Sequence, residues 1–170
     1  MPILAKDTRR EFTPAPEGLH QGVCIDVVDL GLVKTQWGEK HQVEIRWQLV
    51  DLTDDTTGLP VLVLKRYTLS LNEKAKLRHH LEAWRGRKFT AEELDGFDLE
   101  KLLGVNCQIQ VVHDLADDGR VWANVSAVVP LGKGMTKIRP SETYIRVADR
   151  DKKPMSGNGA APVGDDEAPF

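Results

Sequence analysis

Cysteine is scarce in this chain: the 170 residues hold two, Cys24 and Cys107, each inside its own strand-like run. A chain of this length buries an ordinary core without covalent staples. The two are therefore expected as buried free thiols rather than a disulfide or a metal pair. Long apolar runs are missing as well. None approaches the roughly 20 residues of a membrane span, and residues 1–12 are too charged for a secretory signal. The expectation is a soluble protein of the cytoplasm with no membrane partner. Catalytic signatures are absent too, with no Gly-x-x-x-x-Gly-Lys loop, no His-Glu-x-x-His and no Gly-x-Ser-x-Gly. His79 and His80 are neighbours on a helical stretch, point about 100° apart and make poor joint ligands. Neither an enzyme nor a cofactor is expected, and no solenoid repeat is present.

Net charge is small, −3, and Asp165, Asp166 and Glu167 carry all of it, so residues 1–164 are neutral. Within that neutral body the basic residues are segregated. Residues 65–88 hold Lys65, Arg66, Lys74, Lys76, Arg78, Arg85, Arg87 and Lys88 against Glu73 and Glu82. Residues 133–153 hold Lys133, Lys137, Arg139, Arg146, Arg150, Lys152 and Lys153 against Glu142, Asp149 and Asp151. Two positive zones are what a polyanion would meet.

The chain divides into an extended arm over residues 1–18, a folded region over 19–150 and a tail over 151–170. The arm, with Pro2, Pro14 and Pro16, is placed over the folded part. Residues 20–30 alternate through Val23, Ile25 and Val27, with Asp26 on the other face, and stop at Gly31. Residues 31–40 are a first loop, carrying Lys34, Trp37 and Lys40 around Gly38. Residues 41–50 place Val43, Ile45, Trp47 and Leu49 on a core face and Glu44, Arg46 and Gln48 opposite. Residues 61–69 have the two-sided apolarity of a central strand. A capping box from Ser70 to Glu73 then predicts a helix with Leu77, Leu81 and Trp84 as its buried stripe and Lys74, Lys76, Arg78, Glu82 and Arg85 in water, ending at Gly86. Thr90 and Glu93 form a second capping box, with Phe89 and Leu94 as its staple, and a last turn over 99–103 ends at Gly104. Val105, Cys107, Ile109 and Val111 alternate as a fourth strand. Asp117-Asp118-Gly119 turns the chain, and Val121, Ala123, Val125 and Ala127 then point inward, leaving Arg120, Trp122, Asn124 and Ser126 outward. Residues 143–147 are a possible short extra strand. Residues 151–164 are too poor in apolar side chains to offset their ordering entropy and are expected to be disordered.

Three strands, a helical insert and two more strands is the order of an OB-fold, a mainly β five-stranded barrel with its helix between strands 3 and 4.

The last residues, Asp165-Asp166-Glu167-Ala168-Pro169-Phe170, resemble the acidic C-terminal tip of bacterial single-stranded DNA-binding proteins and of phage DNA-binding proteins that end in acids and an aromatic. Such a tip sets a Phe ring in a partner's apolar pocket while its carboxylates pair with basic residues at the rim. A second resemblance lies in the body. Tyr67-Thr68-Leu69-Ser70-Leu71-Asn72-Glu73-Lys74-Ala75, Leu81-Glu82-Ala83-Trp84-Arg85-Gly86-Arg87, Phe89-Thr90 and Gly96-Phe97-Asp98-Leu99 are similar to a family of small phage-encoded replication or recombination accessory proteins related to phage single-stranded DNA-binding proteins. It covers residues 18–130 and implies an OB-fold and strand binding, without assigning any residue. Together the resemblances imply capture of single-stranded DNA with little sequence preference, in the host bacterial cytoplasm, and recruitment of replication or recombination proteins through Asp165, Asp166, Glu167, Pro169 and Phe170. A homo-oligomer is compatible with them.

Strand binding needs cations along the sugar-phosphate path and aromatic faces for the bases. Trp37 and Trp122 are the stacking candidates, since neither sits where a core residue should. Lys34, Lys40, Arg46, Lys65, Arg66 and Arg120 are the phosphate candidates, because strands 2 and 3 and the loops 1–2 and 4–5 line an OB groove. Tyr67, Trp47 and Trp84 are expected in the core. Two rivals are a magnesium-dependent nuclease on Asp114, Asp117 and Asp118, whose sequence is otherwise that of a turn, and a phage structural β-barrel.

Overall fold

A computed structural model describes residues 14–54 and 58–150. Residues 1–13 of the arm, and the whole 151–170 tail with Asp165, Asp166, Glu167, Pro169 and Phe170, lie outside the described residues. The protein is mainly β: β1 (Gly18–Thr35), β2 (Gly38–Thr53), β3 (Pro60–Thr68), β4 (Asn106–Leu115) and β5 (Val121–Val129), with α1 (Lys76–Arg85) and α2 (Ala91–Asp95) between β3 and β4. All ladders are antiparallel, in the order β3-β2-β1-β4-β5. The sheet curls until its ends meet, and Lys65 Nζ on β3 donates to Asn124 Oδ1 on β5 at 2.7 Å. Period-two patterning produces the core: Val43, Ile45, Trp47 and Leu49 are each buried on β2, and Cys107, Ile109 and Val111 on β4. Among the described residues no helix is long and apolar enough to cross a membrane.

Among the described residues, three single-residue bulges curl the sheet. Extra residues stand in β1 at Ile25 and Leu30 and in β5 at Ser126, where the register slips by one. Gly31, expected to end the first strand, instead takes the left-handed φ of +68° beside the second bulge and lets the strand run on to Thr35. The expected loop over 31–40 therefore shrinks to Gln36 and Trp37. In β5 the slip moves the inward position from Ala127 to Val128, so Val125 and Val128 are buried and Ala127 is only partly covered, while Val121, in phase with Val125 but at the hairpin end of the strand, is 42% exposed. β3 is not a central strand, since it ends the hydrogen-bonded order, and its second apolar row, including Leu62 and Leu64, lies on the outer face. No strand forms over 143–147; that segment spends its donors on a carboxylate described below, and residues 147–149 make a 3-10 turn.

Leu77, Leu81 and Trp84 form the buried stripe of α1, each such side chain contributing about 1.5–3 kcal/mol. Gly86 ends it with a left-handed φ of +74°. Its start is not the expected capping box. Ser70 Oγ accepts from the Asn72 amide at 3.1 Å and Asn72 Oδ1 from the Lys74 amide at 3.2 Å. These two side-chain turns satisfy the backbone locally and hold off the helix until Lys76. Arg85 is not in water either: its side chain is fully covered, bonded to Glu93 Oε2 at 2.6 Å and stacked 4.7 Å from the Phe89 ring centre. The box of α2 is present, with Glu93 N on Thr90 Oγ1 and Thr90 N on Glu93 Oε1. Its staple is not, because Phe89 packs against Phe97 at 5.1 Å and leaves Leu94 exposed.

Cys24 and Cys107 are free and buried, and burial pushes both thiols well up. At the near end of the arm Ala15 joins the core; its carbonyl accepts from His113 Nε2 at 2.6 Å, while Glu17 Oε1 takes the His113 amide at 2.9 Å.

Candidate nucleic-acid interface

The β1–β2 hairpin extends past its neighbours. β4 pairs with β1 only as far as Val23, and β3 pairs with β2 only from Gln42 onward, so the rest is a two-stranded ribbon. Its tip is locked by Thr35, whose hydroxyl donates to the Gly38 carbonyl at 2.7 Å and accepts from the Trp37 amide at 3.2 Å. Trp37 is 80% exposed there, with Lys34 and Lys40 exposed on the flanking strands. A large ring held this far out of the core is free to stack on a flat partner, and the two lysines supply charge on either side.

The outer face of β2 and β3 is ordered by Glu44, which is 2% exposed. Arg46 Nε donates to one of its oxygens at 2.6 Å and Arg66 Nε to the other at 3.0 Å. The sequence placed Glu44 on the strand face opposite the core row, and the structure shows why it is covered: Arg46, two residues along β2, and Arg66, paired with it across the ladder, close over it. Burial opposes the charge on Arg46, but the Glu44 hydrogen bond and charge outweigh it and raise its pKa. The Arg46 side chain is only 20% exposed, whereas Arg66 is 62% exposed and still faces solvent. Lys65 lies on the other face of β3, at the seam with β5. Burial lowers its pKa, helped by Lys76 and opposed by Asp114.

The β4–β5 hairpin carries Arg120, bound to Asp118 through Nε at 2.5 Å and through its amide at 3.0 Å, and Trp122, 45% exposed. Leu115 and Val121 beside them are exposed too. Asn124 donates to Asp114 Oδ2 at 2.9 Å, tying this hairpin to Lys65. Among the described residues no three His, Cys, Asp or Glu side chains are grouped to share a metal ion.

The sequence reading missed a strap formed by residues 141–150, which crosses the outer faces of β1 and β2. Its anchor is Asp26, fully buried. That carboxylate accepts from the Tyr144 hydroxyl at 2.8 Å, Arg146 Nε at 3.1 Å and the Val147 amide at 2.9 Å. Burial works against its charge, yet the Val147, Tyr144 and Arg146 donors together hold its pKa below the ordinary value. Arg146 also reaches Glu100 at 2.9 Å, and Ser141 N donates to Gln48 Oε1 at 2.7 Å. An acid set directly among Cys24, Ile25, Val27 and Val28 was the available signal for this anchor. Its partners, about 120 residues away, were not visible.

The eight candidates thus fall into groups. Lys34, Trp37 and Lys40 share the first hairpin tip; Arg46 and Arg66 share Glu44; Lys65 sits at the seam; Arg120 and Trp122 share the second hairpin. Comparison of the chain with protein-family models and with curated proteins finds no match in either.

Proposed function

We propose that this protein is an OB-fold that binds single-stranded DNA without sequence preference in phage replication or recombination, and recruits partner proteins through the acidic tip at residues 165–170. The observation that carries the reading is Trp37, 80% exposed at the tip of a ribbon between Lys34 and Lys40. Stacking on such rings contributes on the order of 1–3 kcal/mol per base. The strand order, the helices between β3 and β4, and the half-exposed Trp122 on the second hairpin support it.

The test is fluorescence anisotropy of a labelled oligo-dT titrated with the protein at low and moderate salt, with a duplex of equal length as competitor. Single-strand binding that weakens as salt rises and ignores the duplex is the expected result, because released counterions set that slope. Absence of binding to either form would return the protein to a structural or protein-interaction role.

A further inference from the structure

Between the strap and the Pro60 end of β3 runs a groove of about 260 Å³, whose walls include Leu59, Leu62 and Ile145, with Gln48 and Tyr144 also lining it. We infer that this groove holds one nucleotide unit of the bound strand, the base against the apolar walls and its phosphate on Arg150. The inference rests on the single-strand reading above and locates a contact that the sequence did not suggest.

Four observations carry it. Among the described residues Arg150 is the only charged side chain lining the groove, so the charge that complements it is negative. The volume falls below the roughly 300–1,000 Å³ of drug-sized pockets, which suits a single ring rather than a longer ligand. The Tyr144 ring is fixed in advance, its hydroxyl held by Asp26 at 2.8 Å and its face 5.7 Å from the Arg150 guanidinium, so little order is lost when a second flat ring arrives. Finally, the groove continues the open face of β3. Leu62 pairs with Gln48 in the ladder, and Leu64 and Arg66, 46% and 62% exposed, follow it toward the ribbon that bears Trp37. A strand lying on that face would meet Arg66 and Leu64 before reaching the groove.

The test uses the full chain and the oligo-dT probe. Arg150→Ala should weaken binding several-fold and flatten the dependence of log affinity on log salt by about 0.7, the share of one single-strand phosphate contact, with Arg150→Lys restoring most of that slope. Ile145→Asp should weaken binding with an unchanged melting temperature. An oligonucleotide bearing 5-iodouracil should cross-link to Tyr144 on irradiation. If wild type binds but Arg150→Ala and Ile145→Asp bind equally well with the same slope, or cross-links form only at Trp37 and Trp122, the groove assignment falls and the single-strand reading stands. If wild type binds no oligonucleotide, the functional reading itself fails. Unchanged oligonucleotide binding together with capture of a labelled 163–170 peptide that Arg150→Ala abolishes would give the groove to a peptide and overturn the nucleotide assignment.

Discussion

Single side chains separate what holds this protein together from what it offers to a ligand. Trp47 is 1% exposed and Trp37 80% exposed, though both follow from the same hairpin. Truncating Trp47 should cost about 3–5 kcal/mol of stability. Trp37→Ala should leave the melting temperature unchanged and remove on the order of 1–3 kcal/mol of oligonucleotide binding, and Trp122→Ala should act in the same direction; equal affinities by anisotropy would remove these rings from the site. Glu44 presents the opposite case. It occupies the guanidiniums of Arg46 and Arg66, so Glu44→Gln should lower stability, by up to about 3 kcal/mol for a broken buried pair, while raising oligonucleotide affinity at low salt. Parallel denaturant melts and titrations check the two signs, and a loss of both stability and affinity would mean that Glu44 only positions the arginines.

At the scale of elements, the strap and the bulges matter most. The bulges at Ile25 and Leu30 flank the stretch of β1 that presents Asp26 outward, and three of the strap's donors converge on that carboxylate. Asp26→Asn keeps the shape but removes the charge that Arg146 faces. Hydrogen exchange over residues 141–150 should then rise sharply while the core strands stay protected. Unchanged protection there would assign the docking to Gln48 and Glu100 instead. Because the folded pKa of Asp26 is depressed, its contribution is fully present above the unfolded value of 3.8 and fades as pH falls through the folded one. The strap should therefore release only in strong acid. Glu93 behaves alike: the Arg85 hydrogen bond, then the Thr90 amide, lower its pKa to about 2.

For the whole molecule, the slope of stability near neutrality is set elsewhere, by His80 under the edge of β3. Its Nδ1 shares a 2.7 Å hydrogen bond with the Tyr67 hydroxyl. Burial, followed by Lys65, Lys76 and His79, lowers its pKa from 6.5 to about 4. Between those values the unfolded chain binds a proton that folded His80 refuses, so stability rises with pH across that window and falls on acidification. Melting temperature should drop steadily from pH 7 to pH 5, and His80→Gln should flatten that decline; a wild-type curve already flat over the range would refute the assignment.

Much of this fold was legible in the chain because it is written in local contrast between apolar and polar positions. The alternation in β2 and β4, the Leu77-Leu81-Trp84 stripe and the Thr90–Glu93 box needed no distant partner to be recognised. Trp37 also stood out, since a ring beside lysines at a hairpin tip has no core to enter. What the chain alone left undetermined depends on residues far apart. A bulge at Ser126 changes which β5 side chains turn inward only when β4 is alongside. Glu44 is covered because cross-strand pairing adds Arg66 from β3 to its own strand's Arg46, and Arg85 because Phe89 and Glu93 fold back on it. The strap was invisible for the same reason: its stability comes from Asp26 meeting donors about 120 residues later, and only tertiary structure brings such groups within hydrogen-bonding distance.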